Sequence, residues 1–176
     1  MSRQLIFDAS ALIAAAKTTV QGWLLPDDVL TYAQVVVPPT IKQETVDQGV
    51  GQGYADAHEL DARITSHQIS VSPISLVEPV FDRVVSAYGV ERGDKEVLKL
   101  CRQTSVYEHV IVDDRLLYII LHRFEMRPWF LPDLVVEMVR QRFMPSERGE
   151  KALIALKPRY RAGFIEHSVE QLKGRV

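Results

Sequence analysis

Acidic residues stand at several points of the sequence where a buried segment ends or a helix begins. They are Asp8, Glu44, Asp94 and the neighbouring pair Asp113 and Asp114. Asp8 directly follows the apolar run 5–7, and Asp113 follows the apolar run 110–112. A carboxylate at the end of a buried strand needs a partner for its charge, and a divalent cation is such a partner. Oxygen ligands alone favour Mg²⁺ or Mn²⁺, and a chain with one cysteine offers no multi-cysteine zinc site.

The same acids also have a purely structural interpretation. Ser10 is the predicted N-cap of the Ala-rich helix that follows Asp8, and Asp8 would then only assist that cap. For Asp113 and Asp114 the structural alternative is a turn with a helix cap, because Asp is favoured at both positions. The residues alone leave these interpretations open beside the metal site.

The elements that carry these acids alternate between strands and helices. Strands are predicted at 5–7, 35–37, 69–74, 109–112 and 129–131, and helical patterns follow each of them. This alternation predicts an α/β fold with a parallel sheet and helices on both faces. Right-handed crossovers place the carboxyl ends of parallel strands at one edge of the sheet, so the distant acids are expected to meet there.

Local signals add detail to this pattern. Thr40 is a predicted N-cap, with Gln43 completing a capping box, and Glu44 then lies early in that helix. The glycine-rich stretch 48–53 is predicted to be a loop. It is no dinucleotide fingerprint, because it follows a helix rather than a strand. Asp94 is predicted to open a helix whose apolar face includes Val97 and Leu98.

Composition indicates an ordinary soluble protein of 176 residues with one main core. Apolar residues make up 47% of the chain and charged residues 25%, and no run is long enough to span a bilayer. The N-terminus lacks the layout of a signal peptide, because Asp8 interrupts the apolar run. We therefore expect a cytoplasmic protein with no membrane association.

Charge is distributed unevenly, although the net charge is only −2. Residues 1–114 carry 9 basic and 16 acidic side chains, and residues 115–176 carry 12 basic and 7 acidic ones. An acidic body beside a basic C-terminal third suits a metal site flanked by a surface that binds a polyanion. Solvated helix surfaces rich in Lys and Arg would give the same count.

The motifs around these acids resemble those of PIN-domain nucleases. The stretch Phe-Asp-Ala-Ser-Ala-Leu-Ile at 7–13 is similar to their opening, where Ser or Thr stands two residues after the first acid. Glu44 matches their second acid, Arg-Gly-Asp-Lys-Glu at 92–96 their third, and Val-Ile-Val-Asp-Asp-Arg at 110–115 their fourth. Residues 132–160 resemble the helical extension of a prokaryotic, VapC-like subfamily. Four motifs in the right order are fairly specific, and the resemblance covers nearly the whole chain.

The resemblance implies a PIN-like α/β/α sandwich with four to five strands in residues 1–131 and a packed helical extension in residues 132–176. It also implies a Mg²⁺- or Mn²⁺-dependent endoribonuclease. Asp8 and Asp94 would hold the metal directly, while Glu44, Asp113 and Asp114 would ligate through water or orient the nucleophile. Ser10 would hydrogen-bond a metal-bound water or the first carboxylate. Expected partners are RNA, an antitoxin protein and a second copy of the chain, with Trp129 and Phe130 of the edge strand at the dimer contact.

Two of the four acidic motifs are ambiguous. Related sequences often read Gly-Glu-x-Glu-Ala at the third motif, so Asp94 competes with Glu96. We favour Asp94, because its neighbours at +3 and +4 are apolar and would turn it toward the core. At the fourth motif the family's Thr-x-Asp spacing favours Asp114, which we take as the metal ligand, whereas proximity to the strand end favours Asp113.

Candidate contacts to RNA come from basic side chains. Arg115 and Lys17 are the candidates nearest to the motifs, and the C-terminal group of arginines and lysines, including Arg159, is a further one. Two other functions compete with the nuclease. One is a catalytically inactive PIN-like module that binds nucleic acid or acts as a scaffold. The other is a phosphatase-like hydrolase, which usually has a second Asp two residues after the first, where this chain has Ser10.

Overall fold

The computed structural model describes residues 3–104 and 106–174. Its strands are β1 (Gln4–Phe7), β2 (Thr19–Val20), β3 (Trp23–Leu24), β4 (Gln34–Val37), β5 (Ile69–Val71), β6 (His109–Val112) and β7 (Pro128–Phe130). Its α-helices are α1 (Ala9–Lys17), α2 (Leu25–Tyr32), α3 (Pro39–Lys42), α4 (Gln48–Gly51), α5 (Ala55–Thr65), α6 (Pro79–Ala87), α7 (Arg92–Gln103), α8 (Arg115–Arg123), α9 (Leu131–Arg140), α10 (Ser146–Leu156) and α11 (Ala162–Leu172).

A five-stranded parallel sheet, in the order β5-β4-β1-β6-β7, forms the centre of the molecule. The central strand β1 pairs with β4 through Leu5 and Val35, and with β6 through Ile6 and Val110. The apolar residues of these strands are almost completely buried, because helices cover both faces of the sheet. The predicted α/β/α sandwich is therefore confirmed.

The chain reverses its direction of travel across the sheet between β1 and β6. It passes from β1 outward through β4 to β5, and then returns to build β6 and β7 on the other side of β1. Where the chain leaves two neighbouring strands in opposite directions, a crevice opens at their carboxyl ends. Open α/β sheets bind ligands in such a crevice. Asp8 and Asp113 follow the two strands that flank this crevice.

The predicted starts of the first helix and of the helix after β4 are wrong. The first helix begins at Ala9 with Asp8 as its N-cap, because Asp caps as well as Ser and already stands at the strand end. Ser10 therefore lies inside the helix. The helix after β4 begins at Pro39, whose ring is preset for the first helical position, and Thr40 is its second residue rather than its N-cap.

The predicted loop at 48–53 is also wrong in its first part. A π-helical segment, Gln43–Asp47, continues from α3 and runs directly into α4. Gly49 serves close packing here rather than a turn, because a Cβ at this position would lie 2.6 Å from the Cβ of Ala57 on α5. Gly53 then leaves the helix at a φ of 76°, a conformation that suits glycine.

The C-terminal helices α9, α10 and α11 pack on one another and on the rest of the molecule. Arg148 of α10 joins this group to the hairpin β2–β3 and to α2, because it donates hydrogen bonds to the Val20 carbonyl and to the Asp28 carboxylate. The division into 1–131 and 132–176 stays a prediction. Among the described residues, no helix has the length and apolar character needed to cross a membrane.

Candidate active site

A cleft of about 330 Å³ opens at the carboxyl edge of the sheet, beside the crevice between β1 and β6. Five acidic residues from four separate parts of the chain line this cleft. They are Asp8, Glu44, Glu91, Asp94 and Asp114. The structure thus brings together Asp8, Glu44 and Asp94, which are up to 86 residues apart, as the parallel sheet requires.

Asp8 is buried, with 2% of its surface exposed, at the end of β1. Its Oδ1 accepts a hydrogen bond from the Ala11 amide at 2.6 Å, and its Oδ2 accepts one from the Asp113 amide at 3.1 Å. Desolvation outweighs these two bonds and, with the charges of Asp113 and Asp94, raises the pKa of Asp8 to about 7. Asp8 is itself the N-cap of α1, a role that the structural interpretation gave to Ser10, and no basic side chain is among the groups that shift its pKa.

Asp94 is the third residue of α7 and faces the same cleft. Burial, followed by the charges of Asp114, Glu91 and Glu44, raises the pKa of Asp94 to about 6. Glu96 points elsewhere: its carboxylate accepts a hydrogen bond from the Thr40 amide at 3.0 Å and pairs with Arg92. The structure therefore places Asp94, and not Glu96, among the acids of the cleft.

Glu44 reaches the cleft from the first turn of the π-helical segment. Burial and the charges of Glu91 and Glu96 raise the pKa of Glu44, and Arg92 opposes them. Its carboxylate lies against the backbone of Gly93, where a Cβ would be 2.8 Å from Oε2 and 3.0 Å from Oε1. Gly93 thus provides the space that Glu44 occupies.

Asp113 and Asp114 point in different directions. Asp114 lines the cleft and caps α8, because its Oδ1 accepts a hydrogen bond from the Leu117 amide at 2.7 Å. The Asp113 side chain is 8% exposed and pairs with Arg159, whose Nη2 lies 2.7 Å from Oδ2. Of these two side chains, Asp114 is the one that could bind a cation in the cleft. Asp113 instead donates a hydrogen bond from its backbone amide to Asp8.

The remaining predicted site residues are unequally placed. Ser10 lines the cleft. Arg115 is exposed as the first residue of α8, directly after Asp114. Lys17 is the last residue of α1, about 13.5 Å along the helix axis from Asp8, and its Nζ lies 3.8 Å from Asp56. Lys17 is therefore not brought to the cleft.

Glu91 lines the cleft although it was not among the predicted site residues. It is the N-cap of α7 and raises the pKa values of both Glu44 and Asp94. A sequence signal existed, because an acidic residue near a helix N-terminus is favoured and Glu91 stands three residues before Asp94. Glu91 was not predicted because the helix was expected to begin at Asp94, whereas it begins at Arg92.

The donor set of the cleft suits a hard divalent cation. The charged side chains that line the cleft are all carboxylates. Among the groups that shift the pKa values of Asp8, Glu44 and Asp94, the basic one is Arg92, which lowers the pKa of Glu44. No three His, Cys, Asp or Glu side chains within 3–104 and 106–174 are gathered tightly enough to enclose an ion by themselves. Mg²⁺ does not require such a cage, since it usually keeps several waters and binds through one or two carboxylates. Asp8, Asp94 and Asp114 are the carboxylates of the cleft that could contact such a hydrated ion, directly or through its waters.

Comparison with known families agrees with this geometry. A family model described as a PIN domain matches residues 4–165, which is most of the chain. No curated protein sequence matches the chain significantly.

Proposed function

Because this chain belongs to the PIN-domain family, whose members are generally nucleases that use divalent metals, we propose that it is a Mg²⁺- or Mn²⁺-dependent endoribonuclease. The observation that supports this proposal is the convergence of Asp8, Glu44, Asp94 and Asp114 on one cleft. Burial and mutual repulsion raise the pKa values of Asp8 and Asp94, and a cation would relieve both effects.

Each residue has a separate task in hydrolysis of the phosphodiester. Asp8, Asp94 and Asp114 would hold the cation, which supplies Lewis acidity and lowers the pKa of water in the site. The two amides that bind Asp8 keep its carboxylate oriented before a cation arrives. Glu44, which is less buried than Asp8, is placed to orient the attacking water, with Ser10 as a hydrogen-bonding group on the same wall.

Arg115 is a basic residue that could contact the RNA backbone beside the cleft. It is exposed and directly follows Asp114 in the chain. A guanidinium there would partly offset the charge of the acidic cleft, which otherwise repels a polyanion. Lys17 is paired with Asp56 at the far end of α1, so we give it no part in this contact.

The finer assignment is to the VapC-like toxins, with a protein antitoxin and a homodimer as partners. It is supported by the sequence resemblance described above. The edge strand β7 is the proposed dimer contact, although Phe130 already stacks on Tyr118 and packs against Phe164. Trp129, which stacks on His109, is the β7 residue that we propose for the contact. Light scattering of wild type and of Trp129→Ala would test it, with a loss of the dimer in the variant as the expected result.

The nuclease assignment is tested by cleavage of structured and unstructured RNA with Mg²⁺, with Mn²⁺ and with EDTA. We expect wild-type cleavage with either ion and none in EDTA. Asp8→Asn and Asp94→Asn should each lose more than the roughly 10–100-fold that loss of a residue behind the metal ligands costs. Glu96→Gln is the comparison variant, since Glu96 does not line the cleft, and it should lose far less activity than Asp94→Asn. Undiminished cleavage by Asp8→Asn would rule out this mechanism, and no cleavage by wild type would favour the inactive binding module.

A further inference from the structure

The segment between α10 and α11 brings a basic residue to the border of the acidic cleft. Arg159 donates from Nε to Asp113 Oδ2 at 2.8 Å, and its Nη2 lies 2.7 Å from the same oxygen. The Nη2 atom also lies 3.5 Å from the carbonyl oxygen of Ser10, on the first helix of the cleft. Arg159 therefore joins the C-terminal part of the chain to both strand ends that flank the crevice.

Aromatic packing holds this segment in place. Tyr160, the next residue, has its ring 6.3 Å from that of Phe130 and 5.8 Å from that of Phe164. Phe130 ends β7, at the same edge of the sheet as the cleft, and stacks on Tyr118 with ring centroids 4.5 Å apart. The backbone beside Arg159 is thus anchored, so pairing with Asp113 costs only the conformational entropy of the Arg159 side chain.

Asp113 is the link between Arg159 and the metal-binding acids. Its side chain is nearly buried and pairs with Arg159, while its amide donates to Asp8 Oδ2 at 3.1 Å. Its charge is one of those that act on Asp8. An unpaired Asp113 carboxylate would be costly where it stands, and relief by turning toward solvent or the cleft would move the amide that Asp8 uses.

We propose that Arg159 is a positioning residue for the metal site. It holds the Asp113 carboxylate away from the cleft, so that the Asp113 amide stays hydrogen-bonded to Asp8. Of Asp113 and Asp114, only Asp114 then faces the cation. The cation itself rests on the proposed function. On this view the C-terminal segment completes the site, although it supplies no ligand.

The first readout is affinity for Mn²⁺ alone, without RNA, measured by electron paramagnetic resonance of the free ion. Arg159→Met should bind Mn²⁺ about tenfold more weakly or worse, as is typical when a group that orients metal ligands is lost. Arg159→Lys should recover part of the loss, because it restores a charge but not the planar guanidinium. Arg161→Met is the matched control, since Arg161 is exposed in the same segment, and it should bind like wild type.

The double variant Asp113→Asn/Arg159→Met separates positioning from simple stabilisation. The amide side chain introduced by Asp113→Asn carries no charge that needs Arg159, so Mn²⁺ affinity should return to within about threefold of wild type. Should Arg159→Met fail to fold, a folded double variant with near wild-type affinity would still support the proposal. A double variant as weak as Arg159→Met, or one that does not fold, would overturn it.

The second readout needs no metal. Hydrogen exchange of the Asp113 amide in the metal-free protein should accelerate about tenfold or more in Arg159→Met, while the Val36 amide of the central sheet exchanges as in wild type. Wild-type protein that binds no Mn²⁺ would refute the proposed function. The exchange rate of the Asp113 amide would then still test the role of Arg159, because that measurement needs no metal. Unchanged exchange at Asp113 in Arg159→Met would contradict that role.

Discussion

Gly93→Ala offers a sharp test of the role of Glu44, because it changes the site from the backbone side without altering any charge. The added Cβ would lie 2.8 Å from Glu44 Oε2, 3.0 Å from Oε1 and 3.1 Å from Ile41 Cδ1. Ordinary contacts begin at 3.4 Å, so the nearer carboxylate oxygen must withdraw by about 0.6 Å. Catalytic groups need placement within about 0.5 Å, and a misplacement of about 1 Å can cost 100-fold in rate. We expect cleavage to fall about tenfold or more.

Folding should tolerate the same substitution. Alanine is better than glycine in a helix by up to about 1 kcal/mol, and the atoms it meets are the flexible ends of two side chains. The free energy of unfolding of Gly93→Ala should therefore stay within about 1 kcal/mol of wild type in urea titrations. Gly163→Ala is the matched control: Gly163 is also the second residue of a helix, and a Cβ there meets nothing within 4 Å.

The assay is single-turnover RNA cleavage with saturating Mn²⁺, run beside Glu44→Gln and the double variant Gly93→Ala/Glu44→Gln. If Gly93→Ala acts by displacing Glu44, the double variant should be no slower than Glu44→Gln alone. Wild-type cleavage by Gly93→Ala would refute the reasoning, as would losses that simply multiply in the double variant.

Four further predictions concern charge. Since the folded pKa values of Asp8 (about 7) and Asp94 (about 6) lie above the ordinary value of 3.8, the folded metal-free protein holds these protons more tightly than the unfolded chain. Raising the pH from 5 to 8 in EDTA should therefore lower the free energy of unfolding, with at most about 3 kcal/mol from Asp8, and Asp8→Asn should flatten the profile; an equally steep fall in Asp8→Asn would contradict this. Mn²⁺ must displace the same protons, so its apparent affinity measured by calorimetry should rise between about pH 5.5 and 7.5 and level off above; a pH-independent affinity would argue against Asp8 and Asp94 as ligands. Asp114→Asn keeps the helix cap but removes the charge, so the melting temperature should hold while cleavage falls about tenfold or more, and retained activity would remove Asp114 from the site. Arg115→Met should lower the salt dependence of RNA binding by about one phosphate contact, whereas Lys17→Met should leave it unchanged; the reverse pattern would be incompatible with the placement of these two residues.

The central architecture could be predicted because its signals are local. Strands β1, β4 and β6 are buried on both faces, so each appears in the sequence as an uninterrupted apolar run. The predicted strand 109–112 has the same bounds as β6. The hairpin β2–β3 was not predicted, because strands of two residues are too short to show any periodicity.

The site was predictable only in part, because its finer features depend on contacts between distant segments. Convergence of the acids follows from a parallel sheet, but the pairing of Asp113 with Arg159, 46 residues away, follows from tertiary packing alone. The segment 48–51 shows the same limit. Its glycines predict a loop, whereas close packing of Gly49 on Ala57 keeps the chain helical.

The most direct test of the central claim is the location of Mn²⁺ by anomalous scattering in crystals of the wild-type protein and of Asp8→Asn. We expect an anomalous peak in the acidic cleft, within coordination distance of carboxylate oxygens of Asp8 and Asp94, and we expect it to be lost in Asp8→Asn. Peaks confined to other surfaces at saturating Mn²⁺, or a cleft peak of equal strength in Asp8→Asn, would contradict it.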